Sequence, residues 1–131
     1  MKKLALLVDD DAICNSISKI LLKKKFENEF EIVSYINPIE ALEFLAGTLP
    51  DKKYEKILIL LDINMPLLTG WEFLQEYEHL SGCKENVHIF ILTSSVSKPD
   101  IDKANGNPNV KDFISKPITL STVEKLYEKM C

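Results

Sequence analysis

Short apolar runs alternate along the chain with segments of mixed polarity. The runs at 4–8, 56–61 and 88–92 show almost no polar alternation, which is typical of strands buried on both faces of a parallel sheet. The segments at 31–36 and 110–115 are more polar. They predict two further strands nearer the edges of the same sheet.

The segment after the first strand has the spacing of a helix. In residues 12–25, apolar side chains recur at intervals of three and four, and lysines close the segment, as suits a helix C-terminus. These apolar positions are Ile13, Ile17, Ile20 and Leu21. Asp11 is well placed to cap the start of this helix.

Four further helices are predicted between and after the remaining strands. Pro38 opens one, with Gly47 as its expected stop, and Gly70 opens the next. Residues 98–106 are polar and predict only a short helix. The last helix spans about 119–130, with its apolar face formed by Leu120, Val123, Leu126 and Tyr127.

The alternation of strand and helix predicts the fold class. A β-α unit repeated five times favours a doubly wound α/β fold, in which helices cover both faces of a five-stranded parallel sheet. Ligands of such sheets bind beyond the carboxyl ends of the strands. We therefore expect the polar residues at those ends to converge on one edge: Asp9, Asp10, Asp62, Thr93 and Lys116.

Composition and charge narrow the function classes. The 131 residues fit one domain, spanning 1–131, and their net charge of −4 argues against direct binding of nucleic acid. No apolar run approaches the roughly 18 residues needed to cross a bilayer, so no membrane contact is expected. The cysteines, at 14, 83 and 131, are odd in number and far apart. This favours reduced thiols in a cytoplasmic protein.

Three carboxylates at neighbouring strand ends would repel one another. One carboxylate is enough to cap a helix, so Asp11 is accounted for, whereas Asp9 and Asp10 are not. Together with Asp62 they would raise their own pKa values and cost stability. A divalent cation removes this penalty, and hard oxygen ligands at a partly open site suit Mg²⁺ or Mn²⁺.

Two other strand ends carry groups that suit a phosphate. Thr93, Ser94 and Ser95 follow an apolar strand, and their hydroxyls and backbone N–H groups can bond phosphate oxygens. Lys116 precedes Pro117, which holds the lysine extended and permits a cis bond. A lysine there can neutralise an anion as a point charge.

Asp62 ends the most continuous apolar run in the chain, and an irregular loop follows it. Beside a metal ion, its carboxylate can act as a ligand or as a nucleophile. A cation, a lysine and hydroxyl groups around it favour phosphoryl transfer onto Asp62. No general base is needed, because an ionised aspartate is already nucleophilic.

Four motifs in this order resemble the receiver domain of two-component response regulators and are similar to the chemotaxis regulator. They are VDDD, LLDINMPLLTG, LTS and SKP, each at a strand end. The likeness covers about residues 4–130 and implies a flavodoxin-like sheet with strand order 2-1-3-4-5. It implies a phosphoacceptor signalling domain rather than an enzyme, one that assists its own phosphorylation and dephosphorylation.

The resemblance implies roles for the acids and for the loop after Asp62. Asp62 would accept a phosphoryl group from a histidine kinase or a histidine phosphotransfer protein. Asp9, Asp10 and Asp62 would hold Mg²⁺ together with the backbone carbonyl of Asn64. Asn64 would also lie against the bound phosphate.

The resemblance implies a switch as well. Thr93 would bond the phosphate and move toward it, and Lys116 would pair with a phosphate oxygen beside a cis bond to Pro117. Phe113 occupies the position at which the family keeps an aromatic switch residue, often tyrosine. Phenylalanine has no hydroxyl group and therefore cannot donate a hydrogen bond there. Ser94 stands where the family usually keeps alanine or glycine, so its hydroxyl is expected to contact the phosphate and alter the dephosphorylation rate.

The output of such a domain would be a binding surface around the fourth helix and fifth strand. Here the stretch KPDIDKANGNPN is long and polar, which predicts an atypical surface for an output partner that the sequence does not name. Met1 lies close to the first strand, and no linker trails the last helix. We therefore expect a single-domain regulator.

Three alternatives remain open at this stage. A phosphatase of the haloacid dehalogenase type needs a second aspartate two residues after the nucleophile, where Asn64 stands. A flavodoxin-like cofactor binder would place a flavin phosphate against the acids that follow the first strand. A pseudo-receiver, which binds partners without phosphorylation, predicts the loss of a site residue, yet all five are present.

Overall fold

The fold is described by a computed structural model that covers residues 2–94 and 97–130. Ser95 and Cys131, named above, lie outside the described residues. Cys14 and Cys83 are free thiols. Within the described ranges, no helix combines the length and the apolar character needed to cross a membrane.

Five strands and five helices alternate along the described chain. The strands are β1 (Lys2–Val8), β2 (Phe30–Tyr35), β3 (Tyr54–Leu61), β4 (Val87–Thr93) and β5 (Val110–Ser115). The helices are α1 (Ala12–Phe26), α2 (Pro38–Thr48), α3 (Gly70–Glu78), α4 (Lys98–Gly106) and α5 (Leu120–Met130). All strand pairs are parallel, in the order β2-β1-β3-β4-β5. The predicted doubly wound α/β fold is confirmed.

The central strands are apolar throughout because both of their faces are covered. In β3, Ile57, Ile59 and Leu61 join the core cluster beneath α2, α3 and α4. The alternate residues Leu58 and Leu60 join a second cluster beneath α1 and α5. This two-sided burial is the reason that the run shows no polar alternation.

The prediction that α2 stops at Gly47 is wrong. The helix continues to Thr48, and a 3₁₀ turn at Leu49–Asp51 follows it. Leu49 is buried in the core, so the chain must keep turning beyond the glycine to deliver this side chain. A Cβ at Gly47 would meet nothing within 4 Å, which leaves the glycine without a steric role.

A second glycine permits a close approach of backbone to backbone. A Cβ on Gly70 would lie 2.7 Å from Cα of Ile63 and 2.8 Å from the carbonyl oxygen of Asp62. The Gly70 N–H donates to the carbonyl of Ile63 at 3.1 Å. Thr69 caps the same helix end in a capping box with Glu72. The start of α3 is therefore packed directly on the end of β3.

Alanine at the two glycines should have opposite effects on stability. We expect Gly70→Ala to lower the free energy of unfolding by about 2 kcal/mol, because its Cβ has no space beside β3. Gly47→Ala should raise it by up to about 1 kcal/mol, because alanine is the better helix former at an unobstructed position. Urea unfolding of both variants measures this. A Gly70→Ala variant as stable as the parent protein would contradict the close packing.

Candidate functional site

Three carboxylates meet at the carboxyl edge of the sheet. Asp9 follows β1 and Asp62 follows the neighbouring strand β3. One oxygen from each of Asp9, Asp10 and Asp62 can be chosen so that all lie within 4.8 Å of one another. Asp9 and Asp62 are buried, whereas Asp10 is exposed. The structure thus brings together the three acids that the strand-end argument placed on one edge.

The loop between β1 and α1 is fixed by its own hydrogen bonds. Asp11 Oδ1 accepts from the backbone N–H groups of Ile13 at 3.0 Å and Cys14 at 3.3 Å, which confirms Asp11 as the N-cap. The Asp11 N–H in turn donates to Asp9 Oδ1 at 2.9 Å. The capping residue therefore also orients the carboxylate of Asp9.

Lys116 supplies the positive charge among these acids. Its Nζ lies 2.7 Å from Asp9 Oδ2 and 3.8 Å from Asp62 Oδ2. The backbone N–H of Lys116 donates to the Thr93 carbonyl at 2.8 Å, and the bond to Pro117 is cis, as expected. The Lys116 ammonium thus faces two of the three carboxylates, and the cluster keeps an excess of negative charge.

Burial and the excess of negative charge both shift the pKa of Asp62. Burial, followed by the negative charge of Asp9, raises the pKa of Asp62 from 3.8 to about 6. The Asn64 N–H and the Lys116 ammonium act in the opposite direction without cancelling this shift. Burial lowers the pKa of Lys116, but the nearby carboxylates outweigh burial and the net shift is upward.

The donor set fits a hard divalent cation. It consists of carboxylate oxygens on two buried acids and one exposed acid, an arrangement that leaves one side open for water. The Lys116 contact has the distance of an ion pair, yet Asp9 Oδ2 remains a buried oxygen without a directed hydrogen bond. Mg²⁺ prefers such a site, with one or two carboxylates and several waters.

Asn64 and Thr93 lie on the other side of Asp62. The Asn64 N–H donates to Asp62 Oδ1 at 3.2 Å, and its Nδ2 donates to Thr93 Oγ1 at 3.3 Å. Thr93 is fully buried at the end of β4. These contacts place a hydroxyl and an amide beside the carboxylate.

The two remaining site predictions fall in different places. Ser94 is exposed at the same edge and lines a groove of about 330 Å³ together with Lys116. Phe113 is half-buried and packs on the core cluster beneath α2, α3 and α4. The phosphate contacts of Ser94 and the switch role of Phe113 stay predictions.

Three of the four apolar positions predicted for α1 face solvent, whereas the fourth, Leu21, is half-buried against the core. Ile13, Ile17 and Ile20 are 71%, 43% and 62% exposed, although the helix they predict is present. The buried residues of this helix are Asn15, Ser18 and Leu22. Both sets have helical spacing, and the second, more polar set faces the sheet.

Sequence reasoning missed Asn15 as a site residue. Its side chain is buried on the sheet side of α1, and its Nδ2 donates to the backbone carbonyls of Asp9 at 3.0 Å and Tyr35 at 3.4 Å. The available signal was a polar residue in helical register with Leu22. That register identifies an inward-facing amide but not its partners.

A larger cavity than the groove beside Lys116 lies at the opposite end of the sheet. It has a volume of about 520 Å³ and lies around Tyr54, Cys83, Asn86 and His88. None of the strand-end acids lines it. The acid cluster is therefore separate from this cavity.

Comparisons with known proteins agree with this geometry. The family model for the response regulator receiver domain matches residues 5–128. The chain is 31% identical over 124 residues to the chemotaxis protein CheY of Halobacterium salinarum, covering 94% of this chain and 92% of that protein. It is 28% identical over 122 residues to the two-component response regulator ORR1 of Oryza sativa subsp. japonica, covering 92% of this chain. This chain spans about half of that rice protein, 52% of its length.

Solved structures show the same fold. A two-component response regulator from Cytophaga hutchinsonii superposes with a TM-score of 0.84 at 29% identity, covering 99% of this chain and 98% of that one. The fold and the strand-end acids define a doubly wound α/β domain that carries an acid cluster at the carboxyl edge of its sheet. Within that class, this chain belongs to the response regulator receiver family of two-component systems.

The raised pKa of Asp62 predicts that its charge opposes folding in the absence of metal. The native state holds the proton of Asp62 more tightly than the unfolded state does. The loss of folding stability caused by the ionised carboxylate is therefore complete above about pH 6 and disappears as the pH falls toward 4. We expect metal-free Asp62→Asn to be more stable than the parent protein by about 2 kcal/mol at pH 8, with the difference shrinking below pH 6.

Chemical denaturation at pH 8 and pH 5, in the presence of a chelator, measures both differences. Asp102→Asn is the control, because Asp102 is an exposed aspartate on α4 and reports the general effect of removing one negative charge. Equal stabilisation by Asp62→Asn at the two pH values would contradict the burial argument.

Proposed function

We propose that this domain is a phosphorylated switch in a two-component pathway in the cytoplasm. Asp62 accepts a phosphoryl group from a phosphohistidine of a kinase or a phosphotransfer protein, and the reaction requires Mg²⁺ or Mn²⁺. The domain promotes its own phosphorylation and dephosphorylation but turns over no separate substrate. The supporting observation is the cluster of three carboxylates that shares a single ammonium group.

The transfer needs few groups. A carboxylate oxygen of Asp62 attacks the phosphorus, the P–N bond of the phosphohistidine breaks, and the imidazole leaves with the bonding pair and takes up a proton. Asp9, Asp10 and Asp62 would hold Mg²⁺, which would supply charge neutralisation for the phosphoryl oxygens. The carbonyl of Asn64 is the further metal ligand that we propose.

Lys116 is placed to hold the product. Its Nζ is 3.8 Å from Asp62 Oδ2, so an oxygen of a phosphoryl group on Asp62 lies within its reach. The upward shift of its pKa keeps the ammonium charged at neutral pH. Lys116 therefore balances charge both before and after the transfer.

The response to phosphorylation begins at Thr93. Its Oγ1 accepts a bond from Asn64 Nδ2 in this structure, and a phosphate on Asp62 offers the hydroxyl a charged acceptor that forms a stronger hydrogen bond. Movement of Thr93 displaces the end of β4, which leads into α4. Phosphorylation would thus bias a two-state element that includes Phe113 and change the surface offered to an output partner.

The start of α3 is joined to α4 as well. Trp71, next to Gly70, donates from Nε1 to Asp100 Oδ1 at 3.3 Å, and Lys103 lies over its ring with Nζ 5.7 Å from the ring centroid. A change in the loop after Asp62 is therefore transmitted to α4 from a second direction. The output surface that we propose includes α4 for this reason.

The exposed isoleucines of α1 support a helical phosphodonor. Ile13, Ile17 and Ile20 follow the i, i+4, i+7 spacing with which one helix packs on another. The first two also line the 330 Å³ groove that Lys116 borders. A helix that carries the phosphohistidine and lies on this stripe would have the acceptor site at its side.

One observation favours the pseudo-receiver alternative. Asp62 is only 5% exposed, so the acceptor must become accessible before a donor reaches it. The phosphorylation test below separates the two functions, because a pseudo-receiver gains no phosphoryl group.

Incubation with acetyl phosphate should phosphorylate the domain on Asp62. Intact mass spectrometry should show a gain of about 80 Da, one phosphoryl group, in the presence of Mg²⁺ and none with a chelator. Asp62→Asn should gain nothing. Asp10→Ala should label slowly at low Mg²⁺ and recover at higher Mg²⁺. No gain by the parent protein under any condition would favour the pseudo-receiver.

A charge introduced among the exposed isoleucines of α1 should affect phosphorylation by a phosphohistidine protein but not phosphorylation by acetyl phosphate. We expect Ile17→Glu to slow phosphotransfer from a cognate phosphohistidine protein at least about tenfold, by placing a carboxylate in an apolar interface. Labelling by acetyl phosphate should be unchanged. Ile39→Glu is the matched control, since Ile39 is a similarly exposed isoleucine on α2. Equal slowing by both variants would contradict docking on α1.

A further inference from the structure

Asn15 is a buried polar residue that the proposed reaction does not use. It is 6% exposed on the sheet side of α1. An amide that is removed from water costs free energy unless its donors find acceptors. A leucine has the same branched shape and would not carry that cost. The contacts of Asn15 should therefore show what the amide contributes.

The amide joins the ends of two strands. Nδ2 donates to the carbonyl of Asp9 at 3.0 Å and to the carbonyl of Tyr35 at 3.4 Å. The Asp9 N–H donates to the same Tyr35 carbonyl at 3.2 Å. One side chain on α1 thus links the chain at the end of β1, where the acids begin, to the end of β2.

This bond completes the fixation of Asp9. Its Oδ1 accepts from the Asp11 N–H and its Oδ2 lies at 2.7 Å from Lys116 Nζ. The backbone carbonyl of Asp9, the third oxygen, is held by Asn15. That carbonyl belongs to the peptide unit linking Asp9 to Asp10, so its direction sets the direction in which the side chain of Asp10 leaves the backbone.

We propose that Asn15 is a positioning residue for the divalent cation site. By fixing the Asp9–Asp10 peptide, it holds two carboxylates in the relative orientation that one Mg²⁺ requires. Mg²⁺ demands near-ideal octahedral geometry, so a small rotation of this peptide weakens binding. The inference rests on the proposed function in one respect, that the acid cluster binds Mg²⁺.

The role is separable from simple packing. Residues that hydrogen-bond to the metal ligands, and so orient them, typically lower metal affinity by about 10- to 100-fold when they are removed. A residue that only fills space changes the stability of the protein to the same extent with and without metal. The diagnostic quantity is therefore the metal-dependent part of stability, which follows from the affinity of the native state for the ion.

Asn15→Leu keeps the branched shape of the side chain, makes it somewhat larger and removes both hydrogen bonds. Ser18→Ala is the matched control, because Ser18 is a buried polar residue one turn further along the same face of α1. Thermal unfolding is recorded with and without MgCl₂ at constant ionic strength. Titration with Mn²⁺, with the free ion followed by its paramagnetic resonance signal, gives the dissociation constant directly.

We expect Asn15→Leu to raise the Mn²⁺ dissociation constant about tenfold or more and to lose most of the Mg²⁺-dependent rise in Tm. Ser18→Ala should keep both. An Asn15→Leu variant with the parent dissociation constant, whatever its Tm without metal, would overturn the role of Asn15 and leave the proposed function intact.

If the parent protein itself binds no Mn²⁺, the cation site and the role of Asn15 both fail, and the proposed function fails with them. Asn15→Ala serves the same comparison if the leucine variant does not fold, because it removes the bonds without adding a branched side chain.

Discussion

Three carboxylates and one ammonium share the carboxyl edge of the sheet, and this charge imbalance is the constraint on which the site depends. The parallel topology places Asp9 and Asp62 at the ends of adjacent strands, where burial prevents water from screening them. Lys116 compensates part of the repulsion. Burial, and then the remaining negative charge of Asp9, raise the pKa of Asp62, and such an edge suits a divalent cation. In the function proposed above, a cation at this edge would also neutralise an incoming phosphoryl group, so the same excess of negative charge supports both parts of the proposal.

The backbone around the acids is held by specific contacts on the β1 side and on the β3 side. Asp11 caps α1 and orients one oxygen of Asp9, and Asn15 holds the carbonyl behind it. On the β3 side, Gly70 lets α3 start in contact with the end of the strand. These contacts set the relative positions of the acids. In the proposed function, the movement that follows phosphorylation begins at Thr93, away from these contacts.

Much of the fold and the position of the acids could be predicted from the sequence for physical reasons. Strands buried on both faces lack polar alternation, so the runs around Leu6, Ile59 and Phe90 indicated the central strands. Ligands bind beyond the carboxyl ends of parallel strands, so this rule predicted that Asp9 and Asp62 belong to the site before any contact was known. The predicted end of α2 was wrong because a glycine permits a helix to stop but does not force it to stop.

The rest depended on contacts between residues far apart in sequence. Helical spacing in α1 described two faces equally well, and only packing against the sheet decided that Asn15, rather than Ile17, faces inward. The role of Asn15 was equally inaccessible, because its partner Tyr35 lies twenty residues away. A polar residue in helical register with buried leucines is the signal to examine in other sequences.

In the proposed function, phosphorylation of Asp62 depends on a divalent cation bound by the acid cluster. Titration of the unphosphorylated, isotopically labelled protein with Mg²⁺, followed by amide NMR spectra, tests this dependence. We expect saturable shifts concentrated at the amides of Asp9, Asp10, Asp62 and Asn64. Diffuse shifts that do not saturate, or that match those caused by NaCl at equal ionic strength, would contradict it.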